Sequence, residues 1–220
     1  MKEKILIICA HPDDETLGLG GTILLQTLKG SEVFVLIFSD GELSRGKAVS
    51  QVKQREKQAK KVAKILKIKE IKLLGYHDQK LDTIPLIELA NHIEESIKKW
   101  KPTIIYTHFW GDVNQDHRVL FDATSIATRP TPKSKIKKVI CYETPSSTEW
   151  SHNNFKPNLF VDINSVLKTK LKALNHYKQE MGKYPHPRST EAIISRSNYW
   201  GSSVGMKNAE AFIIIRDLIK

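Results

Sequence analysis

Continuous apolar runs recur along the chain with helix-length segments between them, and this alternation limits what it can fold into more than any other feature. Ile5 to Cys9 is such a run and Val33 to Phe38 repeats it, the pattern of strands buried on both faces. Thr16 to Leu28 between them reads as a helix. Val49 to Leu66 places Val52, Ala59, Val62, Ala63 and Leu66 at helical spacing, and Ile71 to Leu74 follows as a short strand.

The order continues in the same way. Leu86, Leu89, Ala90, Ile93, Ile97 and Trp100 form a helical stripe stopped by Pro102, and Thr103 to Thr107 reads as the next strand. A helix from about His117 to Ala127, strands at Val139 to Tyr142 and Phe160 to Ile163, a helix from about Ser165 to Tyr177 and a last strand at Ala211 to Ile215 complete it. The class implied is α/β, with a Rossmann-like, mostly parallel sheet and helices on both faces. A chain of 220 residues fits a single domain over 1–220.

The formal net charge of +11 raises nucleic acid or an anionic membrane surface as partners. The lysines, however, are spread along helical segments such as Lys53 to Lys69, and no aromatic residues interleave with them as a base-stacking platform requires. No nucleic-acid partner and no membrane association are expected. The apolar run within Met1 to Ala10 is too short to span a bilayer and leads into His11-Pro12-Asp13-Asp14-Glu15 rather than a cleavage site. Cys9 and Cys141, the only cysteines, lie in strand-like runs and read as core residues, so a reducing cytoplasm is the expected location. A homo-oligomer is compatible with all of this.

In sheets of this kind ligands bind beyond the carboxyl ends of the strands. Two segments rich in His and Asp fall there. In the first, His11 and Asp14 are three residues apart at the start of a helix, close enough to meet on one ion, with Asp13 left to face an open coordination position. The bland alternative is helix capping, where negative charge contributes about 0.3–1 kcal/mol. The second segment, His108 to Arg118, can supply a third ligand. Three mixed His and carboxylate ligands with one position for water make a catalytic rather than a structural zinc site.

His11 to Glu15, followed by Thr16-Leu17-Gly18-Leu19-Gly20-Gly21, resembles the AHPDDE signature of the LmbE-like, or PIG-L-like, N-deacetylases, and Asp116-His117 is similar to their second metal motif. Leu74 to Asp78, Ser146 to Trp150, Pro185 to Ser189 and Ala209 to Phe212 are similar to further blocks of one bacterial branch. The resemblance implies that His11, Asp14 and His117 bind the metal, that Asp13 is the general base, and that Asn114 and Asp116 belong to the catalytic set. It implies zinc as cofactor, with Fe2+ or another divalent ion compatible with such ligands. The implied activity is removal of an N-acyl group, acetyl above all, from a small-molecule N-acetylated sugar or sugar conjugate.

The chain departs from the family pattern at Asn114, where many members carry a histidine that stabilises the oxyanion. An amide NH2 can donate a hydrogen bond but cannot act as an acid, so no imidazole-dependent rate limb is expected unless His108 or Asp112 swings in. Arg55 falls at the register of a substrate-binding arginine, with a surface salt bridge as the alternative, and Arg188 has the same status. Trp150 is a candidate for stacking on a sugar face. The spacing of Gly18-Leu19-Gly20-Gly21 fails a dinucleotide fingerprint, and these glycines are expected to let the helix pack close to the metal loop. The other classes left open are a hydrolase of a different bond at the same site and a non-catalytic sugar-binding module.

Overall fold

The first apolar run is a strand, β1 (Lys4–Cys9), whose alternate side chains feed two different cores. Ile5, Ile7 and Cys9 pack on one face of the sheet and Leu6, Ile8 and Ala10 on the other. Each large side chain so buried contributes about 1.5–3 kcal/mol, which fixes the strand from both sides. These features come from a computed structural model that describes residues 2–42 and 49–219; Met1, 43–48 and Lys220, part of the expected domain 1–220, lie outside the described residues.

After β1 follow α1 (Asp14–Leu28), β2 (Glu32–Ser39), α2 (Val49–Ile65), β3 (Glu70–Tyr76), α3 (Leu86–Trp100), β4 (Ile104–His108), α4 (Gln115–Ala127) and β5 (Lys138–Tyr142). The last third adds β6 (Leu159–Asp162), α5 (Leu167–Leu174), α6 (Thr190–Ser202) and β7 (Ala209–Asp217). All seven strands of the described residues share one sheet, in the order β3-β2-β1-β4-β5-β7-β6. The first five pair in parallel, while β7 runs antiparallel to both β5 and β6. Residues of α1, α2 and α5 cover one face and residues of α3 and α4 the other.

This order positions the site. The chain leaves β1 on one side to form β2 and β3, then returns on its other side as β4, with Ile7 of β1 opposite Tyr106. The turns after β1 and β4 therefore stand side by side at a topological switch point, where a crevice opens because the flanking connections diverge.

Two details differ from expectation. Helix α6 carries little apolar signal, because the face it buries is made of Ile193, Ser197 and Gly201. Its start is nonetheless marked by Ser189, whose side chain accepts from the Ala192 N–H. The glycines of α1 do not bring it onto the metal loop: a Cβ on Gly18 would stand 2.4 Å from a Tyr142 ring carbon, so the close approach is to the end of β5.

Candidate metal centre

The turn after β1 is held in an unusual shape by its own acids. Asp13 has φ 137°, a region L-residues rarely adopt. Its N–H donates to Glu15 Oε2 at 3.1 Å, while Glu15 Oε1 accepts from the Thr16 hydroxyl at 2.7 Å and the Tyr177 hydroxyl at 2.9 Å. Burial pushes the Glu15 carboxyl up to about 7, against the pull of these hydrogen bonds. Asp14 is turned back on the loop, its Oδ2 accepting from the His11 N–H at 2.8 Å.

His11 and Asp14 meet His117, which α4 delivers from the other side of the switch point. Ligand atoms of the three lie within 4.8 Å of one another, and all three residues are buried. His11 Nδ1 is 3.3 Å from His117 Nε2, and Asp14 Oδ2 is 3.4 Å from the first and 3.6 Å from the second. Asp14 Oδ1 is buried with no hydrogen-bond partner among the described residues, which is costly for a carboxylate unless a cation meets it. Two imidazoles and one such carboxylate fit a divalent ion of the zinc type.

Carboxylates stand behind both imidazoles, as ligating histidines require. His11 Nε2 is 3.0 Å from Asp78 and 3.3 Å from Asp116. Burial lowers the basicity of His11, but Asp116, Asp14 and Asp78 overcome it and raise the pKa well above the usual value, so the cluster favours positive charge. Asp116 is itself fixed by the N–H groups of Gln79 at 2.9 Å and Leu81 at 3.1 Å. Its carboxylate thus faces His11 and the backbone of residues 79 and 81, behind the imidazole as seen from the cavity.

His117 Nδ1 lies 3.3 Å from Asp112, which also accepts from the Ser147 hydroxyl, the Thr148 hydroxyl at 2.7 Å and the Asn114 N–H at 2.8 Å. Burial alone would raise the Asp112 pKa; His117 and the hydroxyls hold it down to about 2. His108 is fully buried, takes the Ala10 N–H at 2.9 Å, and is pushed down to about 4 by burial and by His117, on which it stacks. Neither Asp112 nor His108 is free to swing toward a substrate, so the expected replacement for a histidine at position 114 is not available from them.

Asp13 Oδ2 accepts from Arg55 at 3.0 Å and from Arg188 at 3.1 Å. Burial raises the Asp13 pKa against the pull of Arg188 and Arg55. Arg55 is 2% exposed and also faces Glu180 at 3.5 Å and Glu42 at 3.8 Å, so a surface salt bridge is ruled out. The reason is its register: Arg55, Ala59 and Val62 share the buried face of α2 while Lys53, Lys57, Lys60, Lys61 and Lys64 are exposed. Arg188 is braced by Nε, which donates to the Pro145 carbonyl at 3.1 Å and to the Ser146 hydroxyl at 2.6 Å.

A narrow polar cavity opens over this centre, lined by His11, Asp13, Arg55, Asp78, Gln79, Asn114, Glu180 and Arg188 among others. An outer groove of about 460 Å³ shares Asn114, Glu180 and Arg188 with it and adds Ser146, Ser147, Met181, His186 and Trp150, a residue 58% exposed. Asn114 caps α4, its Oδ1 accepting from the Asp116 N–H at 2.9 Å, which leaves its NH2 as the free donor end. Sequence reasoning missed Asp78, Glu180 and Tyr177 as parts of the site. Asp78 had a signal in its place just past β3; Glu180 and Tyr177 reach the site from the segment after α5, which no motif marks.

A family model described as PIG-L, GlcNAc-PI de-N-acetylase, matches residues 6–128, the segment that carries His11, Asp14 and His117. A probable N-acetyl-alpha-D-glucosaminyl L-malate deacetylase 2 from Bacillus cereus is 28% identical over 82% of this chain and 84% of its own length. Diacetylchitobiose deacetylase from Thermococcus kodakarensis is 27% identical over 94% of this chain and 81% of its own. The structure of N,N'-diacetylchitobiose deacetylase from Pyrococcus horikoshii superposes with a TM-score of 0.79 at 24% identity, covering 97% of this chain and 84% of that one, a likeness of fold. With its sheet order, its paired His and Asp loops and a match across more than half its length, the chain belongs to the PIG-L family, the family of GlcNAc-PI de-N-acetylase.

Proposed function

We propose that this protein hydrolyses the acetamide of an N-acetylated amino sugar or sugar conjugate, with a divalent ion, zinc in this reading, held by His11, Asp14 and His117. The observation that carries it is the convergence of those ligand atoms within 4.8 Å beneath a polar cavity that Asp13 also lines. Two relatives are named N-acetyl-alpha-D-glucosaminyl L-malate deacetylase and diacetylchitobiose deacetylase, and His11, Asp13, Asp14 and His117 are present in the motifs that resemble the family's.

When bound, the ion supplies Lewis-acid chemistry, polarising the amide carbonyl and acidifying water. Asp13 takes a proton from the attacking water and returns it to the departing nitrogen, so that amide and water become amine and acetate. Arg55 and Arg188 keep Asp13 oriented, and we assign Arg55 to the base rather than to the substrate. The Asn114 NH2 donates to the oxyanion of the tetrahedral intermediate. Arg188 and Trp150 border the outer groove, where the sugar lies, with Trp150 offering an apolar face to the ring. No described helix is long and apolar enough to cross a membrane.

The test is acetate release from a panel of N-acetylated monosaccharides, chito-oligosaccharides and acidic glucosaminides, after loading with zinc, cobalt or iron(II). Acetate from at least one compound, abolished by chelation and restored by one of these ions, is the expected result. Release that survives complete chelation, or no release from any of them, contradicts the assignment.

A further inference from the structure

Helix α1 is two helical segments. At Leu19 the backbone leaves helical values, with φ −145° and ψ 24°. An unbroken ladder would there join the Gly21 N–H to the Leu17 carbonyl. Two side chains from elsewhere in the fold take those groups. Glu210 of β7 accepts from the Gly21 N–H through Oε1 at 2.8 Å, and Lys170 of α5 donates from Nζ to the Leu17 carbonyl at 2.9 Å. The two side chains bond each other at 2.7 Å. Glu210 Oε2 accepts from the Thr22 N–H at 2.7 Å and the Thr22 hydroxyl at 2.6 Å.

An ion pair is thus spliced into the helix. Lys170 and Glu210 are both buried, a placement that is tolerable only where each charge finds further partners. The freed backbone groups are those partners, and the carboxylate stands at the N-terminus of the second segment, where the helix dipole favours negative charge. Gly21 leaves the room: a Cβ there would be 3.1 Å from Glu210 Oε1 and 2.7 Å from Ile163.

We propose that Glu210 and Lys170 are positioning residues for the metal centre. They hold the break at Leu19 and so set the tilt of the first segment, which carries Asp14 and is tied to the catalytic loop by the Leu17 N–H donating to the Asp13 carbonyl at 2.8 Å. The role rests on the reading of His11, Asp14 and His117 as metal ligands. Nothing in it requires either residue to touch the ion or the substrate. With the splint gone, the ladder closes through Leu19 and Asp14 is drawn away from its place against the His11 N–H.

The test compares zinc affinity of the chelator-stripped, folded proteins, titrated against a competing chromophoric chelator, with thermal melts alongside. Glu210→Gln strands the Lys170 charge. Lys170→Met/Glu210→Met removes both charges at similar volume and lets the ladder close, which keeps a folded variant available. Ile93→Ala, in the core on the opposite face of the sheet, is the control for simple loss of stability. Both splint variants are expected to bind zinc at least about tenfold more weakly than the parent, while the control melts lower but binds as the parent does. Parent-like zinc affinity in the folded double variant would overturn the positioning role. A parent that binds no zinc would overturn the ligand reading itself, a distinct result.

Discussion

Arg55 Nη2 stands 3.0 Å from Asp13 Oδ2, and both side chains are withdrawn from solvent. The cation, with Arg188, pulls the Asp13 pKa down against burial, so its removal raises that pKa and leaves less of the carboxylate ionised in acid. Arg55→Met is expected to move the acid limb of the kcat/KM profile to higher pH and to lower stability by roughly 3–5 kcal/mol, since it strands buried carboxylates. Arg55→Lys keeps the charge and should shift the limb less. A limb that stays in place in the methionine variant would separate Arg55 from the base.

Asn114 caps α4 through Oδ1 and, in the proposed mechanism, meets the oxyanion through its NH2, and two substitutions separate these tasks. Asn114→Ala removes the helix cap, worth about 0.5–2 kcal/mol, together with the NH2. Asn114→Asp keeps an acceptor for the Asp116 N–H and loses the donor. The aspartate variant should melt near the parent yet lose about 10²–10³ in kcat. Parent-like kcat in that variant would remove the amide from the oxyanion site.

Glu15 supplies a pH dependence of stability. Its carboxyl ordinarily titrates near 4.5 and is pushed up to about 7 in the folded chain, so between those values the folded protein holds a proton that the unfolded chain has released. Its contribution is complete below about 4.5 and falls as pH rises through about 7. In chelator-stripped protein, Glu15→Gln should flatten the decline of denaturant stability over this window. An unchanged slope would show that another group sets it.

Trp150 is more than half exposed and borders the outer groove, so Trp150→Ala should leave the melting temperature nearly unchanged. If the ring stacks on a sugar, KM rises several-fold while kcat holds, as for loss of uniform binding. Equal kinetic constants for parent and variant would place the substrate elsewhere.

The sheet and the paired His and Asp loops are legible in the sequence because their signals are local. A buried parallel strand announces itself as an apolar run, and His11, Asp14 and His117 lie on the segments that follow β1 and β4, which are neighbours in the sheet. What was hidden depends on distant pairings. Helix α6 buries Ser197 and Gly201, so its stripe does not read as apolar. Arg55 occupies the apolar face of α2, a register visible in the sequence but ambiguous until Asp13 and Glu180 are seen opposite it. Asp116 sits beside His117 in sequence, yet its carboxylate points to His11 and to the backbone of residues 79 and 81. The glycines of α1 looked like neighbours of the metal loop, whereas Gly18 meets Tyr142 and Gly21 meets Ile163.

The most direct measurement is metal content and acetate release on the same preparations of parent, Asp13→Asn and His117→Ala, each reconstituted with zinc and assayed on whichever N-acetylated glucosaminide the parent accepts. One ion per chain is expected in the parent and in Asp13→Asn, with the latter slower by about 10²–10⁴ for want of its base, and little bound zinc in His117→Ala. Acetate released by Asp13→Asn at the parent rate, or zinc retained in full by His117→Ala, would contradict this expectation.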